Sequence, residues 1–416
     1  MGFTNDPIVQ PPVNAADEDA RLLASWQISP ETHDHILRTR IIPTELGPFL
    51  SLHEKSNKNN NSNKKGKRTR PRAILILGQT GAGKTYYTPH LLSALVDEKV
   101  QEEQQQNQDE PDDHSNSGGS RRQRREPAVL HLIADTYKTY HPNFATCLAS
   151  PRHAHLASRL ASAAAARWLH AVCERAASSN TPGTPSGVGI DPIVVEAAAR
   201  RPADFHALLR VFAKAGYDVR VVVLAVPAAL SRLGIAVRFW KPQATGKEHE
   251  HKERDQEEGK SRGMPLRFTP RAVHDASFDG VEAVVKWLDA GDSDGANEEE
   301  GHGQRGEEAG GGRLVDRFVM LRRGGGVVYS NERTERGWVK EPAALRALER
   351  ERTRALTEEE RRTATEDIRM LKALKDPKVN KEVEEIEKLM AGLETGDRMV
   401  LETVPFDAFQ FVKREG

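Results

Sequence analysis

The residues with the clearest chemical signature are eight consecutive positions, Gly78-Gln79-Thr80-Gly81-Ala82-Gly83-Lys84-Thr85. They follow the spacing G-x-x-x-x-G-K-[ST], in which glycines let backbone N–H groups turn inward around phosphate oxygens. The apolar run 73–77 precedes them and a helix-compatible segment follows, so a helix N-terminus adds its positive dipole end. The motif therefore predicts a loop that binds a nucleoside triphosphate.

The last two positions of this loop have separate predicted roles. Lys84 is expected to neutralise β- and γ-phosphate oxygens, and the Thr85 hydroxyl is expected to ligate Mg²⁺. We therefore predict ATP and Mg²⁺ as cofactors, with residues 78–85 as the binding segment and Thr85 as the metal ligand.

Two acidic residues follow apolar runs of strand length. Asp135 comes after the run 129–134, and Glu196 comes after the run 193–195. Ligands bind at the carboxyl ends of strands in doubly wound sheets, although an isolated acid there is also a common helix cap. One carboxylate would accept the proton of an acceptor hydroxyl, while the other would hold the water shell of the metal or orient the acceptor.

Phosphoryl transfer also needs positive charge near the γ-phosphate beyond a single lysine. The candidates are Arg200, just after Glu196, Arg238, near the end of a helix, and Arg267, in a loop flanked by prolines. Because the chain has 61 basic residues, the alternative for each of these arginines is an ordinary surface charge.

Composition limits the classes of protein that fit. The 61 basic and 61 acidic residues balance, so we expect no nucleic-acid partner. Cys147 and Cys173 form neither a disulfide framework nor a metal-ligand spacing, which is typical of a reducing compartment. The sequence has no apolar run of about 18 residues and no signal-peptide pattern in its acidic N-terminal region. We expect a cytoplasmic protein with no membrane partner.

Polar, repetitive tracts interrupt the chain at about 54–70, 100–126, 242–263 and 291–313. Their low apolar content predicts disordered inserts and linkers. The basic tract 55–72 has two interpretations: a solvated linker, which we favour, and a nuclear-import or polyphosphate-binding segment. The second interpretation would make the protein nuclear.

Five apolar runs predict an α/β fold with a mostly parallel sheet: 73–77, 128–134, 193–195, 219–226 and 317–321. The stretches between them have the length and pattern of crossover helices, at 84–96, 154–178, 203–215, 228–240 and 271–289. A helical lead-in precedes the sheet at 16–50, and a glycine-rich hairpin is expected at 324–326. The charged segment 341–392 reads as two surface helices packed on the domain.

The order of these motifs resembles the zeta toxin family of P-loop kinases, whose best-studied members phosphorylate UDP-N-acetylglucosamine. After the phosphate loop comes an acid-led motif, Asp135-Thr136-Tyr137-Lys138 running into Tyr140-His141-Pro142. Next come Val194-Val195-Glu196 with Arg200, the helix Leu233-Gly234 to Arg238-Phe239, and Arg267-Phe268-Thr269-Pro270 leading to His274-Asp275. The similarity spans about 20–50 and 73–330, apart from the polar inserts.

The resemblance implies four catalytic residues. Asp135 would be the general base on the acceptor hydroxyl, and Lys84 would be the phosphate-loop lysine. Arg238 and Arg267 would stabilise the transferring phosphoryl group.

The resemblance also implies that Glu196 contacts the acceptor, and we assign Arg200 to the same side. Two departures concern this pocket. Residues 197–199 are all alanine, where family members often have a Gly-Thr-Gly-like sequence, and the helix at 154–166 is almost entirely alanine and serine. These departures put the nucleotide-sugar specificity in doubt more than the kinase activity.

A three-layer P-loop NTPase/kinase fold follows from the resemblance, with a helical N-terminal lead-in and a charged helical C-terminus. The predicted activity is transfer of the ATP γ-phosphate to a hydroxyl, with UDP-N-acetylglucosamine as the leading small-molecule acceptor. The alternatives are a kinase of another sugar or nucleotide, and a nucleotide-dependent switch or scaffold that phosphorylates no acceptor. Whether an antitoxin-like protein partner exists is left open.

The predicted division of the chain has four parts. Residues 1–53 form the helical lead-in, 54–72 the basic linker, 73–335 the kinase domain with its inserts, and 336–416 a charged helical C-terminal extension.

Overall fold

A mixed sheet of eight strands organises the part of the chain that the computed structural model describes, namely residues 15–49, 70–108, 129–150, 152–178, 190–245, 268–290, 314–394 and 403–413. The strands are β1 Arg72–Leu77, β2 Leu130–Ile133, β3 Ile193–Ala197, β4 Asp218–Ala225, β5 Arg317–Arg322, β6 Gly326–Thr334, β7 Gly337–Trp338 and β8 Val404–Pro405. Their order is β2-β3-β1-β4-β5-β6-β7, and β8 pairs with β6.

The first five strands are parallel to one another, and the last three pair antiparallel through β6. The five predicted apolar runs are therefore confirmed as strands of a mostly parallel sheet. The predicted glycine hairpin is also confirmed, because β5 and β6 pair across it and Gly324 and Gly325 have φ values of 100° and 96°.

Helices connect the strands and cover both faces of the sheet. They are α1 Ala15–Ser25, α2 Pro30–Ile36, α3 Ile42–Glu45, α4 Lys84–Gln108, α5 Phe144–Ala149, α6 Ala157–Ser178, α7 Pro202–Lys214, α8 Ala228–Thr245, α9 Arg271–Asp289, α10 Ala344–Thr353, α11 Glu358–Lys372, α12 Pro377–Glu394 and α13 Ala408–Val412. A π-helical turn, Leu37–Ile41, joins α2 to α3. The crossover helices are confirmed with shifted ends.

The largest shift is at α4, which continues to Gln108 through the first part of the tract predicted as a polar insert at 100–126. The rest of that tract lies outside the described residues. The predicted insert at 242–263 also begins within a helix, because α8 continues to Thr245. The rest of that insert, residues 54–69 of the tract 54–70, and all of 291–313 lie outside the described residues.

Alternation along the central strands divides the core into two layers. Leu75 and Leu77 of β1 pack into the cluster formed with α6, α7 and α9, whereas Ile74 and Ile76 pack into the cluster formed with α4 and α8. Because every residue of β1 is buried, the strand reads as a continuous apolar run rather than as an alternating one. The result is the predicted three-layer α/β arrangement.

The C-terminal segment differs from its prediction. The structure has three helices, α10 to α12, between 344 and 394, so the prediction of two helices across 341–392 is wrong. Lys375, with φ 55°, lies in the break between α11 and α12. The helices are charged outside but contribute Leu371, Val383 and Ile386 to the same core layer as α4 and α8.

Buried ion pairs attach this segment to the sheet. Glu351 of α10 accepts hydrogen bonds from Arg322 of β5 at 2.8 and 2.9 Å and from Arg354 at 2.7 Å. Arg354 in turn binds Glu360, which closes a capping box with Thr357 at the start of α11. Charge repulsion in this segment is thus offset by specific pairing.

Two further observations concern the whole described part of the chain. No helix there is both long and apolar enough to cross a membrane. Cys147 and Cys173 are both buried and form no disulfide, as expected.

Candidate active site at the carboxyl end of the sheet

The phosphate loop, residues 78–83, lies between the end of β1 and the start of α4. Gly81 and Gly83 have φ values of 82° and 95°, which side chains disfavour. A Cβ added at Gly81 would overlap the backbone oxygen of Ser231, and one added at Gly234 would lie 2.7 Å from the carbonyl oxygen of Gly81. The loop therefore packs directly against the backbone of α8, and that contact requires glycine at Gly81 of the loop and at Gly234 of the helix.

Lys84 is the first residue of α4 and folds back over the loop. Its Nζ donates to the carbonyl oxygens of Gly78 at 2.7 Å and Gln79 at 3.3 Å. The side chain is half-buried, while the next residue, Thr85, is exposed on the first turn of the helix. Both predicted nucleotide-binding side chains thus lie at the N-terminus of a long helix, where the dipole favours anions.

The electrostatic surroundings of Lys84 bring four predicted residues together. Burial lowers the pKa of Lys84, the carboxylates of Glu196 and Asp135 oppose that shift, and the charge of Arg238 adds to it. These residues come from four different segments of the chain. The predicted site is therefore one place in the fold rather than a set of separate surface charges.

Glu196 lies within β3, which continues to Ala197, rather than just after the strand as the sequence suggested. Its Oε1 is 2.9 Å from Nε2 of His131 on the neighbouring β2. Burial acts to raise the pKa of Glu196, but hydrogen bonds with His131 and Thr88, together with the charges of His131 and Lys84, outweigh it and lower that pKa. Glu196 is thus a buried, ionised carboxylate beside the start of α4.

Asp135 lies just beyond β2, at the start of a 3₁₀ turn, Thr136–Tyr140. Its Oδ1 accepts a hydrogen bond from Nζ of Lys138 at 2.5 Å. The Lys138 side chain is only 4% exposed, whereas that of Asp135 is 59% exposed. Lys138 therefore orients a carboxylate that remains accessible to a ligand.

A row of serines on α6 connects this acid to Arg200. Nζ of Lys138 donates to Oγ of Ser158 at 3.1 Å, and Nη2 of Arg200 donates to Oγ of Ser162 at 2.9 Å. Ser158 and Ser162 are four residues apart and so share one face of the helix. The alanine- and serine-rich sequence of this helix did not suggest any role at the site, so Ser158 and Ser162 were not among the predicted residues. Their signal is the i, i+4 spacing of hydroxyls in an otherwise apolar helix.

Only one of the two arginines predicted to be catalytic lies in the described part of the chain. Arg238 is exposed on α8, and its Nη2 lies 3.5 Å from Oγ1 of Thr269. Arg267 lies outside the described residues, and its assignment stays a prediction.

A magnesium site is compatible with the residues present. The described residues contain no cluster of three or more His, Cys, Asp or Glu side chains of the kind that holds a metal alone. Mg²⁺ needs no such cluster, because it usually binds one or two protein oxygens, several waters and the phosphates. The exposed Thr85 hydroxyl and the ionised Glu196 carboxylate supply that kind of donor set.

The parallel order β2-β3-β1-β4-β5, with the phosphate loop directly after the central β1, defines a P-loop kinase-like fold. The family model described as "Zeta toxin" matches residues 120–293, and the chain thus contains a zeta toxin family domain over those residues. The match begins after the phosphate loop and includes Asp135, Glu196, Arg200, Arg238 and Arg267.

Other comparisons add only a distant likeness. A solved structure of the PezAT chromosomal toxin–antitoxin system of Streptococcus pneumoniae aligns at 12% identity and a TM-score of 0.43, covering 87% of this chain and 98% of that one. A structure of the AvrRxo1-ORF1:AvrRxo1-ORF2 complex aligns at 14% identity and a TM-score of 0.39, covering 92% and 93%. No curated protein sequence matches the chain.

Proposed function

We propose that this protein is an ATP-dependent kinase that transfers the γ-phosphate to a hydroxyl group of a small molecule. The observation that carries the proposal is the exposed Asp135 carboxylate, which Lys138 holds just beyond β2, at the same edge of the parallel sheet as the phosphate loop and near enough to Lys84 to affect its pKa. A nucleotide-dependent switch needs the phosphate loop but has no need of an accessible acceptor base beside it.

Each residue has a role that follows from its surroundings. Lys84 and the backbone of the phosphate loop bind the phosphate oxygens, and Arg238 and Arg267 stabilise the charge of the transferring group. Asp135 accepts the proton of the acceptor hydroxyl at its carboxylate. Lys138 orients that carboxylate through its charge-assisted hydrogen bond to Oδ1.

Mg²⁺ would be held by Thr85, with Glu196 ordering its water shell, and would supply positive charge between the phosphate groups. Because Glu196 also faces Lys84, this role accounts for its burial better than direct contact with an acceptor does. The acceptor contact implied by the resemblance remains the alternative role for Glu196.

UDP-N-acetylglucosamine is our leading acceptor. Arg200 adds a half-buried cation beside Ser162 of α6, on the same side as Asp135, which Lys138 links to Ser158 of the same helix. Such a cation suits a hydroxyl substrate that also carries negative charge, as the diphosphate of a nucleotide sugar does. Another sugar or nucleotide with a phosphate group would use the same contacts.

The direct test is transfer of labelled γ-phosphate from ATP to a panel of nucleotide sugars, sugars and nucleotides. We expect a phosphorylated nucleotide sugar with the unaltered protein, and a loss of at least about 10²-fold in turnover with Lys84→Ala. Thermal unfolding of both proteins checks that the variant is folded.

Two results would count against the proposal. Full turnover in folded Lys84→Ala protein would contradict the assignment of the phosphate loop. Tight ATP binding without transfer to any member of the panel would instead favour the nucleotide-dependent switch.

A further inference from the structure

The N-terminal half of α9 contacts the phosphate loop through Ser277. The backbone N–H of Thr80 donates to Oγ of Ser277 at 3.1 Å, and that hydroxyl donates to the carbonyl oxygen of His274 at 2.8 Å. Ser277 is fully buried. The hydroxyl thus links the middle of the loop to the backbone of a helix almost 200 positions away in the chain.

A second link runs through His274, one turn earlier on α9. Its Nε2 is 2.8 Å from Oγ of Ser231 on α8, and its Nδ1 is 2.9 Å from Oδ1 of Asp275. Oγ of Ser231 also accepts from Nε2 of Gln79 at 3.4 Å, and the same amide donates to the carbonyl oxygen of Val226 at 2.7 Å. Gln79, Ser231 and His274 are all buried, so these contacts are shielded from water.

A third link lies one turn further along, at Gly280. A Cβ added there would overlap the carbonyl oxygen of Ala199 and would lie 3.5 Å from the backbone nitrogen of Arg200. The loop that follows β3 therefore packs directly against the backbone of α9 at Gly280, where there is no room for a side chain. This loop carries Arg200, which binds Ser162 on the acceptor side.

His274, Ser277 and Gly280 are spaced by three residues and so lie along one face of α9. We infer that this face is a positioning surface that sets the shape of both halves of the site: Ser277 and His274 hold the phosphate loop, and Gly280 seats the loop bearing Arg200. The inference rests on the proposed function and names no residue that touches the reacting atoms.

The physical reason for such a surface is the composition of the phosphate loop. Glycines permit the inward-turned backbone but leave the free loop many conformations. Ordering the loop therefore costs conformational entropy, which lowers the affinity for the nucleotide. A hydrogen bond that holds the loop before the nucleotide arrives removes part of that cost. Losing one hydrogen bond of ordinary strength should weaken nucleotide affinity roughly 3- to 10-fold.

The experiment compares Ser277→Ala and Gly280→Ala with Thr365→Ala, in full-length protein. Thr365 is an exposed residue of α11 whose hydroxyl donates to the carbonyl oxygen of Arg361 at 2.8 Å, so it serves as a matched control for loss of a helical hydroxyl. The measurements are the dissociation constant of a fluorescent ATP analogue with Mg²⁺, the melting temperature, and the separate KM values for ATP and for UDP-N-acetylglucosamine.

We expect Ser277→Ala to weaken nucleotide binding roughly 3- to 10-fold and to raise the KM for ATP, with the KM for the acceptor unchanged. Gly280→Ala should do the reverse, raising the acceptor KM with nucleotide affinity unchanged. Thr365→Ala should change neither. Ser277→Thr, which keeps the hydroxyl, should bind nucleotide more tightly than Ser277→Ala.

A lower melting temperature in Ser277→Ala with unchanged nucleotide affinity would overturn the inference, because it would show a role in stability alone. Equal nucleotide affinity in Ser277→Thr and Ser277→Ala would overturn it as well. If Gly280→Ala fails to fold, or if no acceptor is phosphorylated, the nucleotide affinities of the Ser277 variants determine whether the inference holds. Absence of nucleotide binding in the unaltered protein would instead refute the proposed function.

Discussion

Charged side chains lie at both ends of the central strands, but they are exposed or half-buried at one end and fully buried at the other. At the carboxyl end, Lys84 is half-buried, Asp135 is 59% exposed and Arg238 is exposed. At the amino end, Arg72 begins β1 and Arg220 lies near the start of β4, and both side chains are fully buried. The same strand, β1, thus begins in a closed charge cluster and ends in an open one.

The closed cluster is completed by parts of the protein itself. Arg72 binds the carboxylates of Asp191 and Glu98 and donates to the carbonyl oxygen of Val412 at 3.0 Å. Arg220 binds Asp218 and donates to carbonyl oxygens at the end of α13, which covers this end of the sheet. The last carbonyl groups of a helix have no donor within the helix, so they are suitable partners for a buried arginine.

The difference follows from the cost of removing charge from water. A buried charge needs fixed partners, because otherwise the free energy lost by removing it from water exceeds the free energy gained from its contacts. An open cluster leaves room for a ligand to become the partner, which is what phosphate binding requires. We therefore assign the amino-end charges to docking of the C-terminal segment and the carboxyl-end charges to chemistry, and three predictions test that division.

The largest expected effect is on turnover at the open end. Asp135→Asn keeps the size and shape of the side chain but removes the proton acceptor, so transfer should fall by roughly 10²–10⁴-fold. ATP affinity should stay nearly unchanged, because the proposed role of Asp135 is at the acceptor. The melting temperature should change little, because the Asn side chain keeps an oxygen that can accept the hydrogen bond from Lys138. The measurements are acceptor phosphorylation, equilibrium binding of ATP and thermal unfolding on the same preparation.

Parallel loss of ATP binding and transfer in Asp135→Asn would contradict this role. It would mean that Asp135 helps to hold the nucleotide rather than to activate the acceptor. Arg267→Ala offers a comparison, since it should damage turnover more than nucleotide affinity.

The next largest expected effect is on folding stability, at the closed cluster around Arg72. Arg72→Met keeps an extended apolar side chain but leaves the carboxylates of Asp191 and Glu98 without their shared cation. Breaking a buried pair in this way typically costs about 3–5 kcal/mol of folding free energy. We expect a large fall in stability to denaturant, with the turnover of the remaining folded protein close to normal.

The double variant Arg72→Met/Glu98→Gln sharpens the comparison. Removing one of the two carboxylates that Arg72 binds should recover part of the lost stability, because a neutral amide costs less to bury than a carboxylate that has lost this cation. No recovery would indicate that Arg72 acts mainly through its contact with Val412 of α13.

Sequence patterns predicted the parts of the site that depend on local spacing. The phosphate loop is a contiguous motif, and its strand and helix neighbours follow from apolar runs and their lengths. The position of Asp135 just beyond β2 is confirmed, because a strand end is recognisable from sequence; its role as a base stays a prediction. The five parallel strands followed from the same patterns.

Contacts between distant segments could not be predicted in this way. Ser277 touches Thr80 only because α9 packs beside the phosphate loop, and nothing near Ser277 in the chain signals that contact. Arg72 belongs to a charged stretch and reads as a linker residue, yet it is fully buried. Its burial depends on α13, about 340 positions later.

The smallest expected effect is on the pH dependence of folding stability, and it concerns a histidine rather than the charges at either end of the strands. His206 of α7 stacks on Trp287 of α9, with ring centroids 4.0 Å apart, and burial lowers its pKa to about 4. Unfolded, the same side chain has a pKa of about 6.5, so below that pH the unfolded state binds a proton that the folded state does not. Stability should therefore be full above about pH 6.5 and fall as pH decreases toward 4, by about 1–3 kcal/mol for a partly solvated group. His206→Phe keeps the stacking but cannot titrate, so its loss of stability to denaturant between pH 6.5 and pH 4 should be smaller. An unchanged loss would mean that His206 does not set the acid sensitivity, and would direct attention to His33 and His274, whose pKa values burial also lowers.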